Sequence, residues 1–225
     1  MFRRRRASGS SERPSVPVPG TEEPERAELP RPQGPWDIDD VHTDLDVPDV
    51  IDLGGLVIKV RSGLEMRLQV DERTQTVTAA MLVSADGALE LRAFAAPRNE
   101  SIWDDVRQGI AAEATQRGGT ATEQSGPFGP ELKLAVPAKT REGKQTTQVS
   151  RIVGVSAPRW LLRGTFLGKP ASEPDPDGLL ESAFRDVVVR RGDAPMAPRS
   201  AIPLDMPKGA EPPPQPESGD PPSPG

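Results

Sequence analysis

The chain has 225 residues, enough for one domain or two small ones, with no cysteine and no tyrosine. No disulfide, thiolate nucleophile or cysteine-ligated metal can form, and any nucleophile–base pair must come from Lys, Ser, Thr and carboxylates. The net charge of −6 is carried by the flanks: residues 37–49 hold six Asp and no Lys or Arg, whereas residues 50–205 hold twenty charges of each sign, without the basic excess that phosphate contacts require.

The chain opens on Met-Phe followed by Arg3 to Arg6, but Ala7-Ser8-Gly9-Ser10 stands where a signal peptide needs an apolar stretch. No apolar run approaches the roughly 18–20 residues of a membrane helix. The expectation is a cytoplasmic protein. Residues 1–35 and 207–225 are rich in Pro, Glu, Ser and Gly and lack apolar periodicity, so both read as disordered tails. Residues 36–49 interleave acidic and apolar side chains, and 50–206 are read as a single α+β domain.

Within that domain, residues 56–60 and 64–70 read as strands, the second by strict alternation. Residues 75–84 and 88–95 follow, joined by Asp86-Gly87, a hairpin signal. They predict an antiparallel meander with one wet face. The period changes at residues 99–116, where Ile102, Trp103, Val106, Ile110 and Ala114 form a helical stripe. Ser101 and Asp104 are spaced as a capping box and Gly118-Gly119 supply the stop. Strands resume at 120–123, 131–136, 148–155 and 160–167. A second helix is read over 178–189, with Asp177 as N-cap and Gly192 as its C-terminal cap, and 196–206 reads as extended. The fold class is therefore α+β: a mainly antiparallel sheet packed with two amphipathic helices.

The candidate chemistry is sparse. His42 is the only histidine and sits in the acidic segment, without the rigid neighbours that acid–base work needs. The acidic segment has His42 and Pro48 where a calcium loop of the EF-hand type needs Gly and Glu. Gly164 to Pro170 is one residue short of a phosphate-binding loop and has Pro in place of Ser or Thr. No catalytic residue, metal ligand or cofactor is assigned. The residues placed on a partner-binding surface are Trp36, Asp37, Asp39, Asp40, Arg98, Trp103 and Phe128, the last at the tip of the Gly126-Pro127-Phe128-Gly129-Pro130 turn.

Several motifs resemble an actinobacterial family of uncharacterised cytoplasmic proteins classed as a domain of unknown function. They are Gly34-Pro35-Trp36-Asp37, Ile51-Asp52-Leu53-Gly54-Gly55-Leu56, Phe94-Ala95-Ala96-Pro97-Arg98, Ile102-Trp103-Asp104-Asp105-Val106-Arg107, Gly126-Pro127-Phe128-Gly129, Pro158-Arg159-Trp160-Leu161-Leu162-Arg163-Gly164 and Phe184-Arg185-Asp186-Val187-Val188-Val189. The resemblance spans about residues 34–206 and implies no activity, cofactor or catalytic residue. The layout is also similar to the α/β/α sandwich of the PsbP and Mog1 type, whose domains act as binding or assembly modules; a shared fold does not carry function.

The sequence thus points to a non-enzymatic module that binds an unknown protein partner. The alternative is a nucleic-acid-associated protein using Arg3–Arg6 with Arg159 and Arg163, which is not favoured. An enzyme or small-molecule binder using Asp104 and Asp105 ranks third, because acidic residues in a first helical turn are explained by the dipole.

Overall fold

In the computed structural model, residues 34–41, 45, 47–71, 73–74, 76–140 and 142–207 are described. The alternating run of the first meander folds as expected into β4 (Glu65–Asp71), β5 (Thr76–Val83) and β6 (Gly87–Ala95). They follow β1 (Trp36–Asp37), β2 (Val50–Asp52) and β3 (Leu56–Lys59). After helix α1 (Trp103–Gln116) a second meander runs through β7 (Thr120–Gly126), β8 (Gly129–Lys139), β9 (Gln145–Ala157) and β10 (Trp160–Gly168). The two meanders join through β6 and β10. The result is one seven-stranded sheet of order β4-β5-β6-β10-β9-β8-β7, antiparallel at every pairing.

Alternation along β10 shows how the sheet divides two cores. Trp160, Leu162 and Phe166 point to one face and join the larger apolar cluster, while Leu161 points to the other and joins the smaller one. Gly164 lies on the larger face, where a Cβ would stand 2.7 Å from the Phe184 ring; of the residues that mimic a phosphate loop, Gly164–Gly168 are therefore strand packed under an aromatic, and Lys169 and Pro170 begin the short helix that follows.

Helix α1 covers the β7–β9 half of the smaller-cluster face. Trp103, Val106, Ile110 and Ala114 of the predicted stripe pack on Leu132, Leu134 and Ile152. Gly154 makes room, since a Cβ there would overlap the Trp103 ring. Gly118, at φ +74°, ends the helix as expected, and the Gly119 N–H returns to the Ala114 carbonyl. The start differs from the capping-box expectation. Ile102 is the N-cap and makes no side-chain cap bond, while the Ser101 hydroxyl accepts the Trp103 N–H at 3.3 Å and meets Ser156 Oγ at 2.9 Å.

On the opposite face lie a four-residue helix α2 (Lys169–Ser172), helix α3 (Leu179–Arg185) and strand β11 (Val188–Val189). The sequence reading carries the second helix to residue 189, but the chain leaves it at Arg185. Val187–Val189 is β-branched throughout and loses side-chain freedom in a helix. In the extended state β11 instead gains partners on both sides, β1 in parallel and β3 antiparallel, within a second sheet of order β1-β11-β3-β2. Gly178, not Asp177, is the N-cap of α3, and Gly192 (φ +68°) follows β11 and caps no helix. The extended segment beyond it is tied down: Ile202 and Leu204 are buried, and the Ile202 and Asp205 N–H groups bond to the Ala93 and Leu53 carbonyls.

Candidate functional site

Trp36 and Asp37 form β1, so the start of the acidic segment packs on its own domain. Their strand is fixed by the Trp36 N–H on the Val187 carbonyl (2.9 Å) and the Ile38 N–H on the Val189 carbonyl (3.0 Å). One Asp37 oxygen accepts the Asp39 N–H at 3.0 Å, closing an Asx turn that aims Asp39 and Asp40 outward. Its other oxygen accepts the Trp160 indole N–H at 2.6 Å. His42, Asp44 and Asp46, like Arg3–Arg6, lie outside the described residues.

Beside this turn is a groove of about 440 Å³ with walls of opposite charge. One wall carries Asp37, Asp39 and Asp40. The facing wall carries Arg98, Arg159, Arg190 and Arg191, and Asp193 stands at its rim. Arg190 is held by Asp52 at 2.8 and 3.0 Å and by the Gly54 carbonyl at 3.1 Å. Arg191 donates to the Gly192 and Ala194 carbonyls, while its buried Nε has no hydrogen-bond partner among the described residues. Arg98 is exposed, with no ion-pair partner among the described residues.

Arg159 is unusual in its backbone. It occupies the Pro158-Arg159 turn between β9 and β10 with φ +74°, a region that costs a residue with a Cβ about 1–2 kcal/mol and that glycine enters freely. Its guanidinium bonds to the Gly192 carbonyl at 2.9 Å and lies 3.8 Å from Asp193, bridging two segments of the wall.

The structure therefore brings Asp37, Asp39, Asp40 and Arg98 to one groove; Trp36 precedes Asp37 on β1 without lining it, and Trp103 and Phe128 lie elsewhere. Trp103 is buried under α1, with its indole N–H on the Pro130 carbonyl at 2.8 Å. Phe128 turns inward, edge-on to Phe184 at 4.7 Å between centroids, with the Arg185 guanidinium above it. A flexible tip would expose the ring to water, and packing on Phe184 removes that cost. Asp104 and Asp105 are occupied by Arg107 (3.1 Å) and Arg199 (2.5 Å). Arg163 lies over the Phe94 ring; burial first, then the nearby Arg92, lowers its pKa. The charged groove residues absent from the predicted surface are Arg159, Arg190, Arg191 and Asp193. The visible signal for the last three was the Arg191-Gly192-Asp193 tripeptide, whose polar residues follow directly on an apolar strand.

A family match begins two residues before β1. The model of a family described as a protein of unknown function, DUF3710, matches residues 34–212. The chain belongs to DUF3710. No curated protein matches it. The DUF3710 match takes in both walls of the groove together with every described strand and helix.

A second feature of this DUF3710 domain is buried beneath α3. Arg151 on β9 is fully buried and donates to Glu131 on β8 at 3.2 Å, to Glu181 on α3 at 2.5 Å and to the Pro170 carbonyl at 3.0 Å. Its guanidinium is stacked 4.0 Å above the Phe166 ring. Glu131 also accepts from Gln124 Nε2 at 2.8 Å. Burial raises the Glu181 pKa above its ordinary 4.5, against the opposing pull of Arg151. Among the described residues no three carboxylates or histidines are placed to hold a metal ion, and no helix is long and apolar enough to cross a membrane.

Proposed function

We propose that this DUF3710 protein is a non-enzymatic binding module that receives an extended segment of a protein partner in the groove between the Asp39–Asp40 turn and the Arg98–Arg159 wall. The observation that carries the reading is Arg159. An arginine stands at φ +74°, where glycine would relieve the backbone, and it lines the groove with its guanidinium on the Gly192 carbonyl. Strain of this kind persists where a site depends on it. Facing walls of opposite charge suit a segment carrying both a basic and an acidic side chain, and charge complementarity of that sort sets register and encounter rate. The working location is the cytoplasm of an actinobacterium.

The test is crosslinked capture with the tagged full-length chain and with an Arg98→Ala/Arg159→Gly variant. Deleting residues 34–49 is unsuitable, because it would remove β1 and the acceptor of the Trp160 indole. A partner held by the full-length chain in stoichiometric amount, and lost from the variant while its circular dichroism is unchanged, is the expected result. Equal retention by both proteins rejects the groove as the binding site.

A further inference from the structure

The groove between the Asp39–Asp40 turn and the arginine wall holds charges of both signs that do not meet. Among the described residues, no ion pair crosses it. Arg190 pairs with Asp52 and Arg159 with Asp193, neither of them across the groove. Arg98 and Arg191 are left without a carboxylate on one wall, and Asp39 and Asp40 without a cation on the other, among the described residues.

Arg191 points to what is missing. Its Nη1 is committed to the Gly192 and Ala194 carbonyls at 3.3 and 2.9 Å, while its Nε is buried without an acceptor among the described residues. A buried N–H with no acceptor has given up water for nothing, so it marks a place where an oxygen is wanted. The edge left over, Nε with Nη2, presents two parallel N–H groups whose spacing matches the two oxygens of a carboxylate. A phosphate, with its larger charge, is repelled more strongly by the aspartates opposite. An extended segment adds a constraint of its own, because its successive side chains point to opposite sides. Lying along the groove, it sends them in turn to the arginine wall and to the aspartate wall.

We propose that the groove reads an acidic and a basic residue at adjacent positions of an extended partner segment, the carboxylate on the Arg191 Nε edge and the cation on Asp39 and Asp40. Arg98 supplies the second unpaired cation of the carboxylate-binding wall. The proposal rests on the groove being the site of an extended segment, and adds which residues that segment carries and at what spacing. With a single residue between them, both charges would face the same wall and one would meet its own sign.

The experiment is selection of a phage-displayed library of random short peptides on the full-length chain, followed by fluorescence anisotropy with the enriched peptides. They are expected to share an acidic residue directly beside a basic one. Inserting one alanine between the two should weaken binding about tenfold. Arg191→Lys keeps the charge but removes the Nε donor, and Arg98→Gln changes an exposed side chain; each should weaken the peptide about three- to tenfold. Neither should change the affinity of the same peptide with Gln in place of its acidic residue. Groove-dependent peptides that lack the pair, or that tolerate the inserted alanine, overturn the proposal and leave the groove reading standing. No enriched peptide, or peptides that bind Arg98→Ala/Arg159→Gly as tightly as the parent, remove the groove reading and the proposal with it.

Discussion

The indole Nε1 of Trp160, a residue with no exposed surface, donates its hydrogen bond to Oδ2 of Asp37 across 123 residues of chain. The first acidic residue of the flank is therefore part of the core's polar accounting. Asp37→Ala leaves a buried N–H without an acceptor and is expected to lower unfolding free energy by about 1–3 kcal/mol. Asp39→Asn, on an exposed side chain two residues on, should change it by less than about 0.5 kcal/mol. Urea titration of both variants, followed by tryptophan fluorescence, makes the comparison. Equal stabilities would show that the indole bond contributes nothing.

Replacing Arg151 and replacing Glu181 should affect the buried cluster in opposite directions. Arg151→Met leaves Glu131 and Glu181 without their shared cation and is expected to cost about 3–5 kcal/mol. Glu181→Gln, by contrast, leaves Arg151 and Glu131 balanced and should be near neutral or stabilising at pH 7. Chemical denaturation of the pair reads the difference directly.

The same cluster gives a pH dependence. The folded state raises the Glu181 pKa, so it holds this proton more tightly than the unfolded chain does. The resulting contribution is fully present below the ordinary value of 4.5 and is lost as pH rises through the raised folded value. The parent's stability should therefore fall more steeply with rising pH above about 4.5 than that of Glu181→Gln. Superimposable profiles would mean that Glu181 titrates alike in both states.

Arg159→Gly removes a Cβ from the left-handed region, and the relief offsets the lost Gly192 bond and the more flexible unfolded chain. The midpoint of thermal unfolding should stay level or rise by an amount worth at most about 1 kcal/mol. A marked drop would show that the arginine supports the fold itself and would remove its strain as a sign of function.

Gly154→Ala forces a methyl into the Trp103 ring at the centre of the α1 contact. A loss of about 1–3 kcal/mol is expected, with a shift in tryptophan emission as the indole moves off the sheet.

The two meanders and α1 were legible because their signals are local. Leu89, Leu91 and Ala93 alternate along β6, and Ile102, Val106 and Ile110 repeat at helical spacing. The small sheet was not, since β1, β2 and β11 are two or three residues long and owe their extended state to partners far away in sequence. Half of the groove was visible as the acidic turn and Arg98. The rest depends on Arg159 adopting a positive φ and on β11 delivering Arg190 and Arg191 to the same wall. Phe128 was misleading because a turn between prolines looks alike whether its aromatic faces out or in. Arg151 had one faint signal. It shares the parity of Val153 and Val155 on β9, an inward position where a lone cation needs company.

The parallel pairing of Trp36 with Val188 also orders events during synthesis. A nascent chain emerging from the ribosome carries β1 for some 150 residues before its partner strand exists. Both meanders can pair in the interval, leaving the indole of Trp160 to await Asp37. The strand made first is thus among the last to dock, and truncations before residue 188 should yield a sheet that still forms but stays open on the face where the groove is built.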